Sequence, residues 1–165
     1  VKDREETVDI LTHSISNSMA TLRFMDLTPE NLRRLSQMTI AITDIERLSD
    51  HAENIIEYVE YLKSKKANLS QIAVKELKKM SHDTLEAVNL SLNIFETEDY
   101  SLLDEMEALE KQVDKQEKDL IDKHIDRLMC SECDPLSGVV FSDLVTDLER
   151  CADHATNIAY SLKER

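Results

Sequence analysis

The sequence predicts an all-α protein, an antiparallel helical bundle, and three observations carry that prediction. Apolar residues recur at three- and four-residue steps almost throughout the 165 residues. With one Gly and two Pro, the chain lacks the turn formers that a sandwich or barrel of short strands needs. Both prolines follow a capping residue, as Thr28-Pro29 and Asp134-Pro135, the combination that opens a helix.

The elements follow in order. A first helix is predicted from Asp3 to Phe24, with Val8, Leu11, Ile15, Met19 and Leu22 on one face. Thr28-Pro29-Glu30 then supplies a cap hydroxyl, a Pro at the first helical position and an early acid. The second helix runs to Ser64 and spans about 50 Å at 1.5 Å per residue. Asn68 to Gln71 offers the cap of a third helix, which runs to Glu96. The break at Glu98-Asp99-Tyr100-Ser101 precedes a fourth, ending near Met129. Asp134-Pro135 opens the fifth, which continues to the C-terminus. Five long helices with short connections make an up-down bundle, and no low-complexity linker divides them.

Composition narrows the function. Hydrophobic residues make up 41% and charged residues 33%, enough for a real core, and 34 acids against 20 Lys+Arg leave a net charge of −14. Such a surface repels a phosphate backbone, which argues against a nucleic-acid partner. No uncharged apolar run approaches the roughly 18–20 residues that cross a bilayer, so direct membrane insertion of these residues is not expected. No secretory signal is visible. Because the chain begins at Val1 rather than Met, it is expected to belong to something longer. Three cysteines cannot build a disulfide framework and fit a reducing compartment. Cys130 and Cys133 form one isolated Cys-x-x-Cys, expected to be inert loop and cap residues.

An internal repeat is the most informative feature. Thr43 to Ile55 on the second helix aligns with Thr146 to Ile158 on the fifth, with nine of thirteen positions identical. A weaker echo relates Glu5-Glu6-Thr7-Val8-Asp9 to Glu110-Lys111-Gln112-Val113-Asp114. The complete copy is therefore the third, fourth and fifth helices (67–165). The incomplete copy (1–66) holds two helices and lacks the first. On the second helix, Ile45, Leu48, Ala52, Ile55, Ile56, Val59 and Leu62 form the apolar face. Glu46, Asp50, Asn54 and Glu57 form a separate polar stripe. Between the copies Ile45 becomes Leu148 and Leu48 becomes Cys151, whereas Glu, Arg, Asp, His and Asn are kept. A repeat preserved only for packing would do the reverse.

The kept acids lie one helical turn apart as Glu5/Asp9, Glu46/Asp50, Glu110/Asp114 and Glu149/Asp153. Like charges at that spacing repel. Setting Glu5/Asp9 beside Glu46/Asp50, and Glu110/Asp114 beside Glu149/Asp153, would gather two carboxylate patches that call for cations, and carboxylate oxygens suit Mg²⁺, Ca²⁺, Mn²⁺ or iron. The plain alternative is a solvated acidic face balanced by Arg47 and Arg150. Those arginines would steady neighbouring acids, and Asn54 and Asn157 extend the stripe where an amide could orient a carboxylate. His51 and His154 lie on the other flank of the wheel and are expected to pack or bridge helices rather than ligate.

The paired Glu-Arg-x-x-Asp-His-Ala-x-Asn-Ile segments resemble the signature of the PhoU family, helical regulators of bacterial phosphate uptake. In the second half, His124-Ile125-Asp126-Arg127-Leu128, Cys133, Gly138 and Phe141-Ser142-Asp143-Leu144 leading into Asp147-Leu148-Glu149-Arg150 resemble one branch. That branch is the PhoU-like cytoplasmic C-terminal domain of bacterial sodium/phosphate cotransporters. The resemblance implies two three-helix units and metal clusters (iron, zinc, manganese or magnesium) on the four acid pairs named above. It also implies a non-catalytic regulator at the inner face of the cell membrane, with a membrane phosphate transporter as partner in cis or in trans. The absent helix would leave an apolar groove, to be filled by upstream sequence or another copy of the chain in a homo-oligomer.

Three functional classes follow. The first is the phosphate-uptake regulator, as a cotransporter domain or as a free-standing PhoU. The second is a structural adaptor with solvated acids. The third is a di-metal carboxylate enzyme, and it is disfavoured because none of the five histidines lies three residues after a Glu.

Overall fold

The computed structural model describes residues 2–130 and 134–163, with the side chains of 2 and 3 left aside. Five α-helices run through it: α1 (Lys2–Leu22), α2 (Pro29–Lys65), α3 (Gln71–Thr97), α4 (Leu103–Met129) and α5 (Pro135–Ser161), with a 3₁₀ turn at Tyr100–Leu102 before α4. The Pro-led starts form as expected. Thr28 caps α2 by accepting from the Asn31 amide at 3.2 Å, and Asp134 caps α5 by accepting from the Ser137 amide at 2.9 Å. Ser70 does the same for α3 through Ala73 at 3.1 Å.

Two helices end on a left-handed residue that is not glycine, Lys66 with φ 55° and Glu98 with φ 56°. That conformation strains a side chain bearing Cβ. At Glu98 the side chain is held: both carboxylate oxygens take hydrogen bonds from the Arg34 guanidinium, and the Tyr100 hydroxyl donates to it at 3.3 Å. One residue thus ends α3 and ties it to the start of α2.

The core belongs to α3, α4 and α5. On α3 it takes Ala73, Met80, Ala87 and Ile94, and on α4 Met106, Val113 and Leu120, each set seven residues apart. A seven-residue step keeps one seam facing its neighbours along two turns per repeat. Phe141, Val145, Ala152, Ala155 and Ala159 of α5 close the seam, the alanines letting the backbones approach. A buried Thr84 hydroxyl donates to the Leu148 carbonyl at 3.2 Å, so the polar atom inside this core is satisfied.

The N-terminal half is built differently. Helix α2 packs along α5, and α1 packs on α2 alone among the described elements. Met19 is buried, but Leu11, Ile15 and Leu22 of the predicted apolar face are exposed, as are Ile10 on α1 and Ile40 and Val59 on α2. The apolar faces of α1 and α2 are only partly covered, because among the described elements no further helix lies on α1 and α2 as α3 lies on α4 and α5.

Candidate metal centres

Helices α4 and α5 bring five carboxylates to one seam. Glu110, Asp114 and Glu117 occupy successive turns of α4, and Glu149 and Asp153 occupy successive turns of α5. One oxygen each from Asp114, Glu117 and Glu149 lies within 4.8 Å of the others. Burial first, then the Asp153 and Glu117 charges, push the Glu149 carboxyl up to about 7, against a small opposing pull from Arg150. Glu110 is raised as well, by burial and by Asp153 and Asp114. The bases nearby offset this only in part. Lys118 Nζ reaches Asp114 at 2.7 Å and Arg150 Nε lies 3.8 Å from Glu149, both from exposed side chains. The Thr146 hydroxyl donates to Glu117 at 3.4 Å.

The second cluster joins α1 to α2. Oxygens of Glu5, Asp9 and Asp50 lie within 4.8 Å of one another. Partial burial, Asp9, Glu53 and Asp50 raise the Glu5 carboxyl. Glu46, grouped with these acids from the repeat, is not one of the three converging residues; Glu53 takes part instead. The offset follows from the sequence of each copy. Where α4 has Glu117 the equivalent of α1 is Thr12, and where α2 has Glu53 the equivalent of α5 is Thr156. One cluster is therefore drawn toward Asp50 and Glu53 and the other toward Glu149 and Glu117, one turn apart along the shared motif. Both added acids stand three residues after the shared aspartate (Asp50 to Glu53, Asp114 to Glu117), a spacing that also faces one side of a helix. Pairing by four-residue steps alone passes over them.

Three close carboxylate oxygens with a raised carboxyl among them suit a hard divalent or trivalent cation, which neutralises the repulsion and takes oxygen ligands. The donor set at Asp114, Glu117 and Glu149, with Glu110 and Asp153 adjacent, fits such an ion. The set at Glu5, Asp9 and Asp50 fits it with greater exposure to water. A third grouping, His82, Asp83 and Glu86, lies on α3. There, burial would raise the Asp83 carboxyl, but hydrogen bonds from the Gln116 and Gln112 amides overcome it and hold the group below its ordinary range. Asp83 is already satisfied.

The histidines join the two halves. His51 Nδ1 lies 2.8 Å from Asp147 Oδ1, and His154 Nδ1 lies 2.8 Å from Asp44 Oδ1. The rings stack with centroids 5.4 Å apart. His51 and His154 are repeat equivalents, as are Asp44 and Asp147, so the contact is reciprocal and α2 and α5 run antiparallel about a local two-fold. The sequence pointed to an inter-helix role for the histidines but not to the buried aspartates that receive them. Asn157 donates to Asp44 at 3.4 Å, so its amide serves this junction rather than the acid stripe. Asn54 is half-buried and Arg47 is exposed. Cys151 is buried, its thiol pushed up to about 12 by burial and Asp147, which makes it inert. Cys130 is an exposed residue at the end of α4, and Cys133 lies outside the described residues.

The model of the PhoU domain matches residues 1–59 and again 77–162 of this chain. The chain belongs to the PhoU family. The two matched stretches carry the two copies of the acid-histidine motif, and the two clusters described above fall one in each. The chain is also similar to the phosphate-specific transport system accessory protein PhoU homolog 1 of Thermotoga maritima, with 30% identity over 115 residues, which is 70% of this chain and 49% of that protein. It thus spans about half the length of that curated relative. No solved structure matches. Among the described residues, no helix of this PhoU-family chain is long and apolar enough to cross a membrane.

Proposed function

We propose that this chain is a non-catalytic regulatory module of phosphate uptake that holds metal ions in its two carboxylate clusters. The observation that carries this reading is the double PhoU-domain match with one acid cluster within each matched stretch. The Thermotoga relative is named as an accessory protein of a phosphate-specific transport system, which supports a phosphate transporter as the partner. The residues we assign to the metals are Glu110, Asp114, Glu117, Glu149 and Asp153 at one site, and Glu5, Asp9, Asp50 and Glu53 at the other. Iron, zinc, manganese and magnesium are the candidate ions.

The finer reading is the cytoplasmic C-terminal domain of a sodium/phosphate cotransporter, at the inner face of the membrane. It rests on the likeness of the segment from His124 to Arg150 to that branch. The apolar residues left exposed on α1 and α2 give such a module a surface for upstream sequence or for another copy of the chain. A free-standing PhoU-type regulator is the second reading, favoured by the accessory-protein name of the relative.

The test is phosphate uptake in cells carrying the full-length protein with Glu149→Gln and Asp153→Asn together. Regulation of uptake by external phosphate is expected to weaken while the protein level holds. Unchanged uptake and unchanged regulation would remove the claim that the α4–α5 carboxylates serve that regulation.

A further inference from the structure

Two grooves open at opposite ends of the crossing between α2 and α5, and neither is lined by an acid of the two clusters. The first, of about 640 Å³, lies where the end of α2 meets the start of α5. Tyr61, Leu136 and Val139 give it an apolar wall, and Glu57, Glu60 and Asp143 give it its charges. The second, of about 410 Å³, lies where the start of α2 meets the end of α5. Ile40 and Tyr160 are its apolar part, and Arg33 and Lys163 its charges.

The two grooves are repeat equivalents. The copies are offset by 103 residues, and with that offset six of the seven residues around the second groove correspond to residues around the first. The local two-fold between α2 and α5 therefore carries one groove onto the other. A two-fold that exchanges antiparallel helices stands normal to the plane they share, so both grooves open on the same face. Asp143 lies half a turn round α5 from Phe141 and Val145, which sets this face opposite the sealed core.

Their chemistry has diverged in opposite directions. Glu57 corresponds to Tyr160, Glu60 to Lys163, Leu136 to Arg33 and Asp143 to Ile40. One groove thus carries three acids and the other two bases, around side chains as open as Val139, 62% exposed, and Ile40, 56% exposed. Matched outlines with opposite charge on one face let that face pair with itself.

Electrostatics also fixes how. A two-fold running along the helices would set acidic groove on acidic groove. A two-fold running across them lays α2 antiparallel on the second copy's α2, and α5 on its α5, so each acidic groove meets a basic one. Between the grooves the same stripes carry the exposed Arg47 and Arg150, each three residues before an acid of the clusters, Asp50 and Asp153, which offset them. From Leu136 to Tyr160 the face runs roughly 36 Å and is two helices wide, on the order of 700 Å² a side, against about 800 Å² for a standard interface.

We propose that two copies of this chain pair through the α2–α5 face about such a transverse two-fold, each seating its acidic groove on the other's basic groove. The pairing goes beyond the regulatory reading and is tested without it.

Sedimentation equilibrium of the chelator-treated chain, with no metal left to bridge copies, gives the answer. A monomer–dimer equilibrium is expected within about 10–200 μM. Glu60→Arg or Arg33→Glu alone, each at an exposed position and with its fold checked by circular dichroism, should weaken the dimer about tenfold or more, since each change counts twice in an isologous contact. Carried together in one chain, the two changes exchange the charges and should restore the dimer to within about threefold. A chain that stays monomeric throughout that range overturns the proposal. So does a dimer indifferent to both single changes, which would place the contact on the apolar faces of α1 and α2, or a double variant no tighter than the single ones.

Discussion

The imidazoles of His51 and His154 stack 5.4 Å apart, and each reaches the aspartate of the opposite repeat, His51 to Asp147 and His154 to Asp44, at 2.8 Å. Asp44 and Asp147 are both buried, so each needs its partner. The two pairs are not equal in support. Asp44 also receives the Asn157 amide, whereas Asp147 Oδ2 has no hydrogen-bond partner. His51→Ala is therefore expected to cost about 2–4 kcal/mol by leaving a buried carboxylate short of donors, and His154→Ala measurably less. Urea unfolding of the two variants checks the order. The double variant should depart from additivity, because the rings touch. Equal losses would mean that the Asn157 amide at Asp44 is matched by the Tyr58 hydroxyl beside Asp147.

Glu149 supplies a pH dependence with a definite sign. Its carboxyl is raised from 4.5 in the unfolded chain to about 7 in the fold, so the native state binds the proton more tightly. The stability from this group is fully present below pH 4.5 and is lost as pH rises through 7. The loss amounts to about 3 kcal/mol over that window. In metal-free buffer, Glu149→Gln should raise the melting temperature at pH 8 and leave it nearly unchanged at pH 4. A variant that melts lower at pH 8 would show that the carboxylate is stabilised by its neighbours rather than crowded by them.

The uneven covering of the two halves predicts an uneven dynamic profile. Helix α1 touches only α2 among the described elements and leaves Ile10, Leu11, Ile15 and Leu22 exposed. Helices α3, α4 and α5 share the sealed core of Met80, Ile94, Met106 and Phe141. Hydrogen exchange on the isolated chain should protect amides of α3 to α5 close to the global limit and those of α1 far less. Met80→Ala should cost about 2–5 kcal/mol by opening a cavity in that core. Met19→Ala, on a half-covered helix, should cost less. Uniform protection across all five helices would require a partner already seated on α1.

How much of this could be read from the sequence follows from what periodicity encodes. The five helices and their Pro-led starts were readable because caps and apolar spacing are local signals. Val59 sits on the apolar stripe of α2 yet is exposed, because a stripe records which face is apolar, not whether anything lies against it. Repetition singled out Asp50, Asp114 and Glu149, but not Glu53 or Glu117, since those acids differ between the copies. Asp44 and Asp147 were hidden for another reason. Each was matched in the repeat like any other acid, and only the antiparallel crossing of α2 and α5 makes them buried acceptors for histidine.

That distinction yields the sharpest test of the metal clusters. A cation that binds only the folded chain raises its melting temperature by mass action. Added Mn²⁺, Fe³⁺, Zn²⁺ or Mg²⁺ should therefore stabilise the chelator-treated protein, and Glu117→Gln or Asp153→Asn should weaken the effect of the α4–α5 site. At the α1–α2 site, Glu5, Asp9 and Asp50 converge, and Glu53 adds its charge at Glu5. With the α4–α5 site disabled by Glu149→Gln, Glu53→Gln should reduce the remaining metal-dependent rise, and Glu46→Gln should leave it nearly intact. If Glu46→Gln abolishes the rise and Glu53→Gln does not, the ion sits one turn higher on α2 than the converging carboxylates indicate. If no metal changes the melting temperature of the unaltered chain, the acids are solvated and the module works without ions.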